Sequence, residues 1–250
     1  MATIPQVRRP AARRVELTPM TPMQQLRAGR TGRRLGQLIV GLGLYGVSMA
    51  MLLRGHLGLD PWDVFHSGVQ RHWDVSFGTV VIATSFLVLL LWIPLRQWPG
   101  LGTVCNAVLI GIATDATLSV LDAPESLWAR IALMVGGIVV NGVAGAMYIG
   151  SQFGPGPRDG LMTGLARRTG GSIRLVRTLI ELTVLASGWL LGGVVGVGTV
   201  LYALLIGPLV QFFLPLLTVP LEAPASTDPA TSADPVARAV PAADGDPTAN

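Results

Sequence analysis

The sequence predicts an all-α polytopic membrane protein of about six transmembrane helices, arranged as two inverted three-helix repeats, each with a short re-entrant or interfacial helix. Three observations predict it. The chain is half hydrophobic and only 13% charged, against about 25% charge in soluble domains. Its apolar residues lie in runs of about 18–20, the length that crosses a 30 Å hydrocarbon core at 1.5 Å per residue. The third observation is a repeat. Gly58-Leu59-Asp60-Pro61-Trp62-Asp63 and Gly154-Pro155-Gly156-Pro157-Arg158-Asp159 share the pattern G-x-x-P-x-D at an offset of 96 residues. The offset holds without a gap: 24 of the 81 positions from 34 to 114 carry the same residue 96 positions later, where composition alone gives about seven or eight, so the period is a duplication and not chance.

In chain order, residues 1–34 hold four prolines and eight arginines and are expected to form a disordered basic cytoplasmic arm. Repeat 1 covers 35–121 and repeat 2 covers 131–219, joined by a polar linker at 122–130. The first span is expected over about 35–53 and its copy over 131–150. Both carry small residues one turn apart, Gly46 with Ala50 and Gly142 with Ala146, which lets helices approach closely in lipid. The G-x-x-P-x-D element then breaks the span and starts a short helix. Asp60 suits the N-cap and Pro61 the first helical position, with Asp63 near the positive helix end. In the second copy Gly156 takes the cap, Pro157 follows and Asp159 repeats Asp63, while Gly58 and Gly154 help to break the preceding span. These helices, about 61–73 and 157–168, are too short to span. Second spans follow at 77–95 and 173–191. Glycine-rich turns containing Gly102-Thr103 and Gly198-Thr199 lead to third spans at 104–121 and 200–217. Residues 220–250 are Ala, Pro, Asp and Thr with almost no large hydrophobes, and read as a disordered tail.

Three crossings per half make the second half enter upside down. The basic residues, 18 arginines and no lysine, agree. With the N-terminus inside, all but Arg54, Arg71 and Arg130 fall on the cytoplasmic side, as the positive-inside rule requires. Both termini are therefore expected in the cytoplasm.

The G-L-D-P-W-D element, the G-L-G-T turn, the G-P-G-P-R-D-G-L-M element, the Arg177 to Glu181 pair and the G-G-V-V-G-V-G-T-V turn resemble the YczE/YyaS/YitT group of bacterial integral membrane proteins, over roughly residues 35–215. The resemblance implies a bacterial plasma-membrane location. It carries over no catalytic residues.

Five ionisable residues are candidates for substrate binding: Asp63, Asp159, Arg158, Asp115 and Glu181. Asp63 and Asp159 serve as helix-start caps in the plainer account and as ligands between opposed half-helices in the functional one. Arg158 stands where repeat 1 has Trp62, so a site there is asymmetric; its expected partners are Asp159 or lipid phosphate, ahead of an anionic substrate. Glu181 follows Arg177 by one turn, a helical ion pair. Asp115 lies within a span, where ionisable groups are costly and often functional. No Walker loop, nucleophile elbow or H-E-x-x-H is present. His56, His66 and His72 lack tetrahedral metal-ligand spacing, and the lone Cys105 allows no intrachain disulfide. The expectation is a non-enzyme with no metal and no cofactor, whose partners are the lipid bilayer and a small solute and which does not bind nucleic acid. The alternative is a non-transporting scaffold that engages a protein partner through its tails.

Overall fold

The computed structural model describes residues 20–221; the expectations for 1–19 and 222–250 lie outside the described residues. The helices are α1 (Pro22–Arg27), α2 (Thr31–Gly55), α3 (Pro61–Gln70), α4 (Phe77–Leu95), α5 (Leu101–Leu118), α6 (Leu127–Gly150), α7 (Pro157–Thr169), α8 (Ile173–Leu190) and α9 (Val197–Leu217). No strand occurs among the described residues. Each of α6 to α9 begins 96 residues after its counterpart in α2 to α5.

Several features differ from the sequence reading, among them the start of α6 at Leu127, inside the expected linker 122–130. The basic arm ends earlier, because α1 and the start of α2 fall inside 1–34. Thr21 caps α1 in a capping box with Gln24, and Arg34 is fully buried. The third helices start three residues earlier, at Leu101 and Val197. Gly100 and Gly196 are their N-caps, and the Thr103 and Thr199 hydroxyls accept from those glycine N–H groups at 3.1 and 3.3 Å, so the glycine turns are mostly first helical turns. Helix α3 stops at Gln70 instead of Trp73, which leaves Trp73 69% exposed. Finally, five helices rather than six are long and apolar enough to cross a membrane: α2, α4, α5, α6 and α9. Helix α8 has the length, but Arg174, Arg177 and Glu181 lower its hydropathy.

Helices α2 and α6 form the centre and run antiparallel. Cβ atoms added at Gly41 would lie 2.9 Å from Met147, near the α6 C-terminus, and at Gly55 3.3 Å from the Arg130 carbonyl, near its start. Each helix is capped by an arginine from the other. Arg34 Nε and Nη2 donate to the Ser151 and Gln152 carbonyls at 2.9 and 2.8 Å. Arg130, the residue 96 positions on, donates from Nε and Nη2 to the Gly55 and His56 carbonyls at 2.9 and 3.1 Å. These carbonyls have no acceptor role left inside their helices, and a cation is favoured at that end of the dipole.

Around this pair the halves exchange elements. Helix α3 packs on α8, and α7 packs on α4, while α5 and α9 pack on α2 and α6 of their own halves. The exchanged crossings fit by opposite means. At one, Gly188 lets α8 reach the backbone of Val64 and Phe65. At the other, Trp92 occupies the position equivalent to Gly188 and Gly160 the position equivalent to Val64; a Cβ at Gly160 would lie 2.0 Å from the Trp92 ring. Trp92 Nε1 also donates to the Pro157 carbonyl at 3.0 Å.

Candidate functional site between the two motif copies

Both G-x-x-P-x-D elements begin with a glycine in the left-handed region, Gly58 at φ 121° and Gly154 at φ 105°, where a side chain would be strained. Each element is then pinned by the glycine turn of the other half. Gly198 N donates to the Leu57 carbonyl at 2.7 Å, and Gly102 N donates to the Phe153 carbonyl at 2.9 Å. These two N–H groups sit in first helical turns and have no intrahelical partner. The glycines are required because a Cβ at Gly102 would lie 2.9 Å from the Phe153 carbonyl oxygen. Thr103 Oγ1 adds a bond to the Pro155 carbonyl at 2.7 Å. Thus Gly58, Pro61, Gly154, Pro157, Gly102, Thr103, Gly198 and Thr199 form the frame of the site.

Inside that frame, Asp60 caps α3, accepting from the N–H groups of Trp62 and Asp63 at 2.8 and 3.0 Å. Asp63 is fully buried, and its Oδ1 accepts from His66 Nδ1 at 3.1 Å. Arg158, carried by α7 of the other half, reaches both carboxylates: its Nη1 lies 3.9 Å from Asp60 Oδ1 and its Nη2 3.9 Å from Asp63 Oδ1. Its guanidinium lies over the Trp62 ring, 5.0 Å from the centroid, a cation–π placement. One arginine thus faces two buried aspartates. Asp60 Oδ2, Asp63 Oδ2 and His66 Nε2 are buried and have no protein hydrogen-bond partner. A buried carboxylate without compensating partners is costly, and ionisable groups at membrane depth are often functional.

A cavity of about 70 Å³ adjoins this cluster. Its polar lining is Tyr45, Ser85 and Asn106 from the first half and Tyr148, Arg158 and Asp159 from the second. The volume suits a few water molecules or a small solute. Tyr148 donates to Asp159 Oδ2 at 3.2 Å, and its hydroxyl accepts from the Gly156 N–H. A second polar cluster sits where the repeat places the counterparts of Tyr45 and Asn106: Tyr202 donates to Asn141 Oδ1 at 2.9 Å, and Asn141 Nδ2 donates to Ser48 at 2.7 Å. Asn141 therefore bonds between helices, a common role of asparagines within the membrane.

Of the five candidates, the structure brings Asp63, Arg158 and Asp159 together. The expected partners of Arg158 are corrected: its nearest carboxylates are Asp60 and Asp63 of the other half, because the exchange of α3 and α7 lays one motif beside the other. Asp115 stands elsewhere. It accepts from Gly78 N at 2.7 Å and Ser76 Oγ at 2.5 Å, binding the end of α5 to the start of α4. Glu181 pairs with Arg177 at 2.8 Å on α8, on an accessible face. Tyr45, Tyr148 and His66 enter the site unannounced by the sequence reading, and Asp60, expected there as the N-cap, also faces Arg158. The repeat offers a signal for Tyr45: its counterpart is Asn141, another intramembrane polar residue. No cluster of His, Cys, Asp and Glu able to hold a metal occurs among the described residues.

Five apolar spanning helices around a buried polar cluster define a helical integral membrane protein. The chain belongs to a family of unknown function, DUF6198, whose model matches residues 32–215. It is 38% identical over 182 residues to an uncharacterized protein of Haemophilus influenzae, covering 72% of this chain and 83% of that one. It is 33% identical over 183 residues to the uncharacterized membrane protein YczE of Bacillus subtilis, covering 70% and 82%. It is 27% identical over 190 residues to the uncharacterized protein YyaS of the same organism, covering 73% and 90%. The resemblance read from the motifs therefore holds. No solved structure gives a significant match.

Proposed function

We propose that the protein is a transporter or permease for a small solute, with its site between two inverted halves of the bacterial plasma membrane. The observation that carries this is Arg158 of one motif copy between Asp60 and Asp63 of the other, beside a polar cavity lined from both halves. A dry, tightly packed centre would have spoken against transport. Inverted repeats with broken elements commonly build their solute sites at such a meeting point. The antiparallel run of α2 and α6 and their reciprocal arginine caps support the inverted arrangement. In it, α8 is the sixth crossing, with Arg177 and Glu181 neutralising each other. The arginine bias supports cytoplasmic termini.

Two experiments test this reading. In a Cys105→Ser background, Asp74→Cys and Thr169→Cys, both on exposed positions after the short helices, should react with impermeant thiol reagents from opposite membrane faces. Reaction from one face overturns the inverted arrangement. Small polar solutes that raise the melting temperature of purified protein should then enter proteoliposomes through the wild type, and flux should be lost with Asp63→Asn and Asp159→Asn while the fold is kept. If those variants behave as wild type and function is lost only on removing residues 1–30 or 225–250, the scaffold alternative replaces transport.

A further inference from the structure

The two halves share their helix order but differ in how tightly their last two helices meet. In the first half α4 and α5 press together. A Cβ at Gly78 would lie 2.1 Å from the Gly111 carbonyl oxygen, and one at Gly111 would lie 2.6 Å from Ile82. Asp115 fastens this crossing through Gly78 and Ser76. In the second half α8 packs on α3 and α7, and α9 packs on α6, with no comparable α8–α9 contact. Gly207, the counterpart of Gly111, has nothing within 4 Å of an added Cβ. Arg174 and Gln211 replace Gly78 and Asp115.

The same asymmetry appears around the cavity. Val81, Ser85, Asn106 and Ile110 of α4 and α5 form one wall. Their counterparts Arg177, Glu181, Tyr202 and Ile206 on α8 and α9 form none of it. The carboxylates agree: Asp63 is fully buried, whereas Asp159 is exposed. Arg177, paired with Glu181, is 54% exposed.

We propose that the cleft between α8 and α9 is the mouth through which solute and water reach the cavity, with Arg177 and Glu181 as the charged residues that line it, and that the α4–α5 crossing fastened by Asp115 is the closed gate on the opposite side. This rests on the reading of a solute site between the halves. Closing the mouth brings Thr178 toward Gly207, as Ile82 meets Gly111, and carries Arg177 and Glu181 onto the cavity where Val81 and Ser85 stand on the other side.

The test is thiol labelling of the full chain in Cys105→Ser vesicles of both orientations, with a membrane-impermeant methanethiosulfonate. Ser85→Cys should react from the face that Asp159 belongs to, about ten-fold or more faster than from the other, since reaction tracks access to the thiolate. Asn106→Cys gives an independent reading of the same cavity should Ser85→Cys fold poorly. Thr178→Cys with Gly207→Cys should join through a short bismaleimide, and the bridge should slow labelling at position 85 or 106 by a similar factor. Equal labelling from both faces, labelling from the Asp63 face, no labelling at either position, or a pair that does not bridge overturns the proposal. Flux is not the readout, so the labelling pattern stands or falls separately from transport.

Discussion

Replacing Arg34 and Arg130 one at a time by alanine asks how much the same contact is worth at two depths of burial. The two arginines are 96 residues apart and cap opposite ends of the central pair with the same Nε and Nη2 geometry. Arg34 is fully buried, donates additionally to the Gln25 carbonyl at 2.6 Å, and lies 4.2 Å from the Phe153 ring centroid. Arg130 is half-buried and makes only the two shared bonds. Hydrogen bonds from a charged donor contribute about 1.5–3 kcal/mol each when buried. The three short bonds of Arg34 are not additive and part of their energy offsets desolvation, so Arg34→Ala should cost about 4 kcal/mol. Solvent screening discounts Arg130→Ala to about 1–2 kcal/mol. At about 2–4 °C per kcal/mol for a chain of this size, the melting temperatures should fall by roughly 10 °C and roughly 4 °C. Thermal unfolding in detergent, followed by loss of the monodisperse chromatographic peak, reads the difference. Equal losses, or a larger loss for Arg130→Ala, would refute the assignment of the energy to burial of the cap.

Other expectations follow from the same contacts. Arg158→Gln leaves Asp60 and Asp63 without a cation and should cost about 2 kcal/mol, less with Arg158→Lys, as judged by thermal melts of the three proteins. Gly160→Val drives a methyl group into the Trp92 ring and should cost about 3 kcal/mol or more. Combining it with Trp92→Gly recreates the Gly188–Val64 pair of the other crossing and should recover about 1 kcal/mol relative to the sum of the single changes, although the bond to the Pro157 carbonyl is lost; strict additivity would count against complementary packing. Asp115→Asn weakens the hold on Gly78 and Ser76 and should lower stability by about 1–2 kcal/mol, with faster hydrogen exchange at the first turn of α4. No exchange difference would show that the α4–α5 crossing does not depend on this carboxylate.

Much of the architecture is legible in the sequence because the duplication is ungapped. A period of 96 residues that preserves Gly58, Pro61 and Asp63 also preserves where each helix starts, since caps and helix-breaking residues act locally. Partner choice is not local. Nothing in the spacing of Arg158 says that α7 crosses to α4 and so lies beside α3. Nor does the repeat reveal that Trp92 and Gly160 exchange bulk relative to Gly188 and Val64, because each residue alone looks ordinary. The glycines of the G-x-G-T turns are conspicuous, but their reason is a carbonyl from the other half. Composition places Arg34 in the arm, and only its burial against the end of α6 shows it to be a core residue. That α8 and α9 do not press together as α4 and α5 do is likewise recorded by no motif.

The exchange of short helices between halves also bears on how the chain is made. Helix α3 begins at Pro61 and its packing partner α8 begins at Ile173, 112 residues later. When the first half has entered the membrane, the Val64–Phe65 face of α3 and the ring of Trp92 still await surfaces that have not been synthesised. The second half of the chain therefore completes the centre, and each half is expected to need the other in order to fold. A chain severed within 122–125 should assemble only when both fragments are made together, each supplying the short helix that the other lacks.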